Sequence, residues 1–505
     1  MSEERYKLHW ITALIEVLKT LKEMILPLVV LVFANGLQDS GTGKWYWDYL
    51  TFIIFGVLII VFFITGIIKW KRFVYWFEDD ELRIEHGLFV KKKRYIPFHR
   101  IQSLDYTEGI LHRPLKLVKV KVETAGGADI TKSDAELTAI TIEAANRIEE
   151  KMAEAKQRKA HKPDVFDEFE PVVEPKQKLK SVYKMTGKDL LVLATTSGGV
   201  GLILSGALIF LVQFAEFIPF DKMYVEISEF IKYGILIVVI AVFLGLLIIW
   251  GISVLMTFLG YYGFTVELDK EDLVISRGLI EKKRVTVPLN RVQSVRIIEN
   301  PFRQLFGYAN VVIDNAGGGL GEGARINLFP LIKKSAINGP LKEIFPDLVV
   351  KEPTQKVPAR GKRYYYRIDF IWMIPAIAAL TYYFFPYGLF SLLLIPVIVL
   401  WGLFQHRSAA FEIFGNQLTM RFRGFSLQTA YLMKNRIQSM EIKQNYFHRK
   451  KNVAIVSARV KSGVGVFNAQ VSYMEEEDAN GILDWYEPSR ERKVESDLIV
   501  DNNLE

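Results

Sequence analysis

Arg100-Ile101-Gln102-Ser103 is the stretch that decides the fold, because it recurs twice later in the chain. The second copy is Arg291-Val292-Gln293-Ser294, and the third is Arg436-Ile437-Gln438-Ser439. Copies one and two lie 191 residues apart, and copies two and three lie 145 apart. A motif that returns at long intervals indicates an internal repeat, and the repeat determines how the whole fold is assigned.

The surroundings of the motif return with it. A Leu stands 18 residues before each Arg, and a Gly-Gly or Ser-Gly pair begins 26 residues after it. The Leu residues are Leu82, Leu273 and Leu418, and the pairs begin at Gly126, Gly317 and Ser462. Pro97 and Pro288 precede the first two Arg residues by three positions, where the third copy has Met433. The repeat is therefore much longer than four residues.

The residue pattern within the repeat is that of a β-sheet. Val118–Glu123 alternates apolar and charged residues, which is the period of a half-buried strand. Leu82–His86 alternates as well and ends at Gly87, and Tyr95-Ile96-Pro97 leads into the motif. We predict about seven short antiparallel strands per copy. A helical pattern over Ala135–Ala155 follows the first copy.

Four features of the repeat together resemble the bacterial pleckstrin-homology-like (PH-like) domain. They are the Gly turn, the Pro, the Arg-x-Gln-Ser strand and the closing Gly pair. Three such copies joined to membrane helices resemble the YdbT-type membrane proteins. The resemblance covers the whole chain and is more specific for copies one and two than for copy three. It implies an α+β membrane protein in which each copy is a PH-like antiparallel sheet domain with a C-terminal helix. A phosphoinositide-type ligand is not expected in that family.

Composition supports a membrane protein. Half of the 505 residues are hydrophobic, and the net charge is +8. A basic chain of this kind has nucleic acid or an anionic membrane as its partner, and the long apolar runs with basic flanks favour the membrane. There is no cysteine, which excludes disulfides, thiol chemistry and cysteine-based metal sites.

Six apolar segments predict six transmembrane helices in three pairs, each pair followed by one copy of the repeat. They are Met24–Leu37, Tyr49–Ile68, Leu190–Phe214, Gly234–Leu259, Ile368–Phe385 and Tyr387–Phe404. The repeat Leu lies 14 residues beyond Ile68, Leu259 and Phe404 in turn. The true repeating unit is thus two helices and one sheet domain.

This arrangement predicts the domain boundaries. The helix pairs occupy residues 1–72, 185–260 and 364–407, and the PH-like domains occupy 73–158, 261–349 and 408–487. Linkers fill 159–184 and 350–363, and residues 488–505 form a charged tail. The hairpins between paired helices are acidic on balance, whereas the opposite flanks are rich in Lys and Arg. Because basic loops stay in the cytoplasm, we expect a multi-pass protein of the bacterial cell membrane with both termini and all three domains cytoplasmic.

No pattern for catalysis or for a cofactor stands out. The glycines of Gly319–Ala324 match a dinucleotide motif only superficially, because that motif needs a strand before it and a helix after it. The seven histidines lack the spacing of metal ligands. We therefore predict no enzyme, no cofactor and no metal. A small-molecule transporter or channel is the alternative function, and the near absence of ionisable residues in the spans argues against it.

The repeat motif and three basic clusters are the candidate sites. We predict that the Arg, Gln and Ser residues of the motif are structural, since a Gln amide can tie a turn to a strand. The motif residues are Arg100, Gln102, Ser103, Arg291, Gln293, Ser294, Arg436, Gln438 and Ser439. The clusters are Lys91, Lys92, Lys93 and Arg94; Lys282, Lys283 and Arg284; and Arg449, Lys450 and Lys451.

The basic clusters are consistent with two interpretations. In the first interpretation the cations contact anionic lipid or a partner. In the second they belong to solvated hairpins that discourage the pairing of strand edges. The favoured function is a membrane scaffold or assembly protein. Its expected partners are the lipid bilayer and a protein in the membrane or a second copy of the chain, and nucleic acid is not expected.

Overall fold

A computed structural model describes residues 5–22, 45–124, 135–160, 180–197, 235–317, 325–383, 385–463 and 465–487. They form two compact units, Met1–Pro288 and Leu289–Glu505. Four predicted features lie wholly or mostly outside the described residues: the spans Met24–Leu37 and Leu190–Phe214, the glycine-rich loop before Arg325, and the charged tail.

The first unit contains eleven strands and five helices within its described residues. The strands are β1 Tyr6–Lys7, β2 Val74–Glu78, β3 Glu81–His86, β4 Lys92–Pro97, β5 Ile101–Glu108, β6 Leu117–Thr124, β7 Ala135–Thr141, β8 Lys180–Lys184, β9 Thr265–Asp269, β10 Asp272–Arg277 and β11 Lys282–Pro288. The helices are α1 (residues 11–22), α2 Trp45–Arg72, α3 Ile142–Ala160, α4 Gly187–Thr196 and α5 Ile235–Tyr261.

The second unit repeats this scheme. Its strands are β12 Val292–Glu299, β13 Tyr308–Asn315, β14 Arg325–Lys333, β15 Gln355–Lys356, β16 Ala410–Phe414, β17 Gln417–Arg423, β18 Leu427–Met433, β19 Ile437–Lys443, β20 Val453–Ser462 and β21 Gly465–Glu475. Its helices are α6 Pro301–Leu305, α7 Asn338–Ile344, α8 Lys362–Tyr383, α9 Leu394–Ser408, α10 Tyr446–Arg449 and α11 Glu476–Tyr486.

Within the described residues each copy of the repeat contributes seven antiparallel strands, as predicted. The first strand of each copy precedes that copy's helix pair in sequence. In copies two and three this strand is β8 or β15, and both lie within ranges that were predicted to be linkers. These segments pair with the strand that follows the helices, so they are part of the sheet domains.

The sheets cross the boundaries between copies, which the sequence did not predict. One seven-stranded sheet has the order β7-β6-β5-β11-β10-β9-β8, and another has the order β14-β13-β12-β18-β17-β16-β15. In each, the last three strands of one copy pair edge to edge with the first four strands of the next. The remaining sheets are β1-β2-β3-β4 and β19-β20-β21.

The helical pattern predicted over Ala135–Ala155 is wrong at its start. Residues Ala135–Thr141 form strand β7, and the helix begins only at Ile142. Alternate residues of this strand, Ala135, Leu137 and Ala139, are buried, and pairing with β6 supplies its backbone hydrogen bonds. Tertiary pairing therefore overrides the helical preference of the Ala and Glu residues.

Two of the described helices are long and apolar enough to cross a membrane. They are Phe243–Tyr261, within α5, and Gly388–Ser408, which includes α9. Phe370–Tyr383, within α8, is a shorter apolar helix. The prediction of six spans therefore has support for two, and the other four remain predictions.

The repeat Leu residues are core residues. Leu82, Leu273 and Leu418 have no exposed surface. In copy one the core runs from Leu82 to Ile148 of α3, and in copy three it runs from Leu418 to Ile482 of α11. The helix at the end of each of these copies covers its sheet and buries apolar area that stabilises the domain.

Candidate functional site

The Arg of each motif ends a short 3₁₀ turn that leads into a strand. The turns are Phe98–Arg100, Leu289–Arg291 and Lys434–Arg436. In copy two the Gln293 amide Nε2 donates a hydrogen bond to the Arg291 carbonyl at 3.0 Å, which ties the turn to the strand. The side chain of Gln102 lies outside those described, and Gln438 is exposed. The structural role of the motif remains a prediction for copies one and three.

The Ser of the motif faces an acidic residue on the next strand in two copies. Ser103 donates a hydrogen bond to Glu123 at 3.2 Å, and Ser294 donates one to Asp314. The acid follows the Ser by 20 residues in both copies, and this spacing was visible in the sequence. In copy three the residue opposite Ser439 is Arg459, and Ser439 itself is exposed.

The spacing of 26 residues between Arg and Gly has a steric cause in copy two. A Cβ atom at Gly317 would collide with the guanidinium group of Arg291. A larger residue at this position would therefore require the Arg291 side chain to move. Gly126 of copy one lies outside the described residues, and copy three has Ser462 at this position.

Asp314 is the centre of a buried polar cluster that joins copies two and three. Its carboxylate accepts hydrogen bonds from Arg296 Nη2 at 2.7 Å and from Ser462 Oγ at 2.9 Å. Asp314 is fully buried, and the guanidinium of Arg296 lies 3.9 Å from the centre of the Phe467 ring. A buried charge needs such partners, so this cluster specifies how β20 packs on β13.

The first basic cluster lies along an open strand edge. Lys92, Lys93 and Arg94 belong to β4, which is the last strand of its sheet among the described residues. Lys91 and Lys93 contact Glu85 at 2.6 and 3.3 Å, and the hydrogen bond from Lys91 is the main cause that lowers the pKa of Glu85. The two Lys side chains remain 64% and 51% exposed, so they are also accessible to an external anion.

The second basic cluster is part of a junction between copies. Lys282, Lys283 and Arg284 lie on β11 and pair with Glu108, Thr107 and Tyr106 of β5. The prediction treated this cluster as a hairpin equivalent to the first. The structure places it instead where the sheet of copy one continues into copy two, so its strand edge is occupied.

The third basic cluster follows the short helix α10. Arg449, Lys450 and Lys451 are all exposed. The Lys451 carbonyl accepts a hydrogen bond from Arg360 Nε at 2.7 Å, which ties the cluster to the segment just before α8. The cluster therefore lies near the N-terminal end of helix α8.

Exposed apolar residues beside these clusters were missed in the sequence. In copy one Phe89 and Val90, directly before Lys91, are 91% and 70% exposed. The connections between the fifth and sixth strands of each copy carry others. They are Ile110 and Leu111, Phe302, Leu305 and Phe306, and Tyr446 and Phe447. The sequence does contain a signal for these exposed residues. In every copy an apolar pair lies between a turn with Gly or Asn and basic residues.

A cavity of about 440 Å³ lies between α1, the end of α2 and the first sheet domain. Its lining includes Thr12, Lys69, His86, Arg94 and Lys121. Burial, followed by the charges of Arg94 and Lys92, lowers the pKa of His86. Within the described ranges, no group of three or more His, Cys, Asp or Glu residues is placed to hold a metal ion.

Comparison with known proteins matches this repeated architecture. The model of the bacterial PH domain matches residues 25–156, 207–339 and 370–490. The UPF0699 transmembrane protein YdbT of Bacillus subtilis (strain 168) is 36% identical over 496 residues, which is 96% of this chain and 99% of that protein. No solved structure matches the chain. The chain therefore belongs to the bacterial PH domain family and carries three copies of the domain, as its repeated motif predicted.

Proposed function

We propose that this protein is a non-enzymatic, integral membrane assembly protein whose PH-like domains build continuous sheets on the cytoplasmic side of the cell membrane. The similarity to a protein named as transmembrane, the apolar helices α5 and α9, and the basic flanks of the spans support the membrane location. Pairing between strand edges is the means of assembly, both within the chain and between chains.

The observation that carries this proposal is the equal register of the two junctions between copies. Lys282 lies opposite Glu108 in the first junction, and Leu427 lies opposite Glu299 in the second. These pairs occupy the same positions of the repeat, since they are related by the repeat spacings of 191 and 145 residues. Edge pairing is thus a property of the repeated unit.

Two of the strands at the ends of these sheets, β4 and β19, are the equivalents of strands that pair with each other at the internal junctions. In the described structure neither β4 nor β19 has a neighbouring strand on that side. An open edge is a template for another strand. The partner that fits both edges is a second copy of the chain, with β19 of one chain paired to β4 of the next.

The register of the internal junctions specifies this contact residue by residue. It places Ile442 of one chain opposite Lys93 of the other, and Glu441 opposite Arg94. Lys443 then lies opposite Lys92, and this like-charge pair weakens the contact relative to the internal junctions. The contact between chains is therefore reversible, and a head-to-tail arrangement extends to larger assemblies.

Disulfide trapping tests the contact, because the chain has no native cysteine. Opposed residues on antiparallel strands have Cα atoms about 4.5–5.5 Å apart, which suits a disulfide. One chain carries Lys93→Cys and a first tag, and a second chain carries Ile442→Cys and a second tag. After reconstitution together in lipid vesicles and mild oxidation, we expect a disulfide-linked dimer that contains both tags.

Two controls make the result decisive. Arg284→Cys with Tyr106→Cys in one chain reproduces the internal junction and should oxidise within the chain. Lys443→Cys in place of Ile442→Cys moves the thiol to the other face of the strand and should reduce the yield of dimer. If the internal pair oxidises and no mixed dimer forms, the self-assembly proposal is wrong.

A further inference from the structure

The hairpin that carries the first basic cluster has one polar and one apolar end, and the other two copies share this feature. The turn before the central strand is polar in every copy: Asp79-Asp80, Lys270-Glu271 and Gly415-Asn416. The tip after this strand is apolar: Phe89-Val90, Leu279-Ile280 and Phe425. Phe89 and Phe425 are 91% and 67% exposed. Exposed aromatic residues at equivalent tips in separate domains indicate a shared environment.

Each tip lies beside the end of an apolar helix. The Leu279 amide donates a hydrogen bond to the Leu259 carbonyl in the last turn of α5, at 2.9 Å. The Phe425 ring stacks on Trp401 of α9, with centroids 6.1 Å apart. In copy one the Arg72 guanidinium at the end of α2 bonds to the Leu88 carbonyl. Each tip therefore contacts the helix that precedes its sheet domain, which is α2, α5 or α9.

The connections between the fifth and sixth strands of copies one and three contact, respectively, a tip and the start of an apolar helix. Arg113, in the connection with Ile110 and Leu111, donates a hydrogen bond to the Leu279 carbonyl. Phe447 accepts one through its carbonyl from Tyr364 of α8, at 3.0 Å.

The same holds for the connection that contains Leu305. There the Gln304 side chain accepts a hydrogen bond from Arg423 at 2.9 Å, and Arg423 in turn bonds to Ser408 at the end of α9. The connection of copy two thus lies beside the end of α9.

Basic residues accompany the apolar ones. Lys91 follows Phe89 and Val90, Arg303 follows Phe302, and Arg449 follows Phe447 within two residues. Aromatic side chains beside Lys and Arg suit the bilayer interface, where the rings enter the boundary of the acyl chains and the cations meet lipid phosphates.

We propose that these loops insert into the cytoplasmic leaflet, so that each PH-like domain is held against the bilayer by its own apolar loops as well as by its transmembrane helices. The ligand is the anionic lipid surface itself. This inference rests on the membrane location proposed above and extends it from the helices to the domains.

A protein partner on the same loops is the competing occupant. The bilayer is favoured because the loops adjoin the ends of α5 and α9, so that any side chain extending along those helices enters the lipid. The polar turns at the far end of the strands agree with this orientation. The strand β10 separates the two ends by six residues, about 20 Å, which exceeds the depth of interfacial insertion.

Single cysteines carrying an environment-sensitive fluorophore test the proposal in the full-length chain. The probes are Phe89→Cys, Ile280→Cys and Leu305→Cys, and the matched control is Glu271→Cys at the far end of β10. The purified protein is reconstituted into nanodiscs of phosphatidylcholine and phosphatidylglycerol, with or without a lipid that carries a nitroxide quencher near the headgroup. We expect blue-shifted emission and strong quenching at the three loop positions, and neither at Glu271→Cys.

No other protein is present in this experiment, so quenching by the labelled lipid identifies the bilayer as the partner. The proposal is overturned if the loop probes are quenched no more than the control. Because the disulfide experiment on β4 and β19 probes a different contact, either result can fail without the other.

Discussion

Arg296 and Asp314 form a buried ion pair, with Nη2 and Oδ1 2.7 Å apart and side chains 6% and 0% exposed. The equivalent positions of copy three hold the same pair with its charges exchanged. There Arg459 lies 2.7 Å from Glu441, and both side chains are more than one third exposed. The two pairs differ in burial because the next copy covers one of them, whereas the edge beside the other is open in the described structure.

Asp314→Asn is expected to destabilise the second unit by ~3–5 kcal/mol, because it leaves the buried Arg296 without its countercharge. Glu441→Gln removes the exposed equivalent pair and should cost at most ~1 kcal/mol. Denaturant unfolding of the two variants in detergent measures the difference. Equal effects would mean that the burial of Asp314 has no energetic consequence.

Gln293→Leu should lower thermal stability, because it removes the hydrogen bond to the Arg291 carbonyl, which keeps only its bond from the Ala316 amide. The expected cost is ~0.5–1.5 kcal/mol. Gln438→Leu is the matched control, since that side chain is exposed. If Gln293→Leu melts like the unmodified protein but loses a binding partner, the residue is a ligand contact and the structural prediction is wrong.

His86 should make the stability of the first unit depend on pH. Its folded pKa is lowered from the ordinary value of 6.5, chiefly by burial. The unfolded state therefore takes up the proton first, so stability is complete above the unfolded pKa and is lost as pH falls below it. His86→Gln should lose less stability between about pH 7.5 and about pH 5.5 than the unmodified protein. His99→Gln, which alters an exposed His, is the matched control.

Replacing Lys91, Lys92 and Lys93 by Gln should reduce retention of anionic lipid, at ~1 kcal/mol or less for each cation near the surface. Glu85 already neutralises part of this charge, so the lower end of that range is expected. Lys282→Gln with Lys283→Gln should have a smaller effect, because these residues flank a strand edge that is already paired. Mass spectrometry of co-purified lipids measures both. Equal losses would contradict a special role for the open edge.

Topology is testable with the same cysteine-free background. Ser40→Cys, in the predicted external hairpin, should react with an impermeant maleimide in intact cells. Lys461→Cys should react only after lysis. Lys461 is exposed, whereas the neighbouring Ser462 is bonded to Asp314 and is a poorer probe. Labelling of Lys461→Cys in intact cells would place copy three outside the cell.

Much of the fold was predictable because its signals are local or repeated. The alternation in Val118–Glu123 specifies a strand, and the return of Leu82 as Leu273 and Leu418 marks the same core position in three domains. By contrast, Ala135–Thr141 looked helical, because its Ala and Glu residues favour a helix unless a neighbouring strand supplies hydrogen bonds.

The candidate site was only partly predictable, because the sequence does not show which strands pair. The basic clusters were visible as runs of Lys and Arg, but Lys91–Lys93 and Lys282–Arg284 look alike in sequence. They differ only because β11 pairs with β5 and β4 pairs with no further strand in the described structure. The apolar tips such as Phe89 follow a Gly turn and precede basic residues, but only the structure shows that they are exposed.

The sequence by itself therefore determined the repeat, its seven strands and its alternation with apolar helices, since each follows from the order of residues along the chain. The tertiary structure alone decided that the sheets run across the copies, that Asp314 is buried between two of them, and which edges remain open. The physical reason is that a strand edge satisfies its backbone hydrogen bonds with whichever strand the fold brings alongside. That neighbour can be far away in sequence, as Ser462 is from Asp314, and no local pattern encodes it.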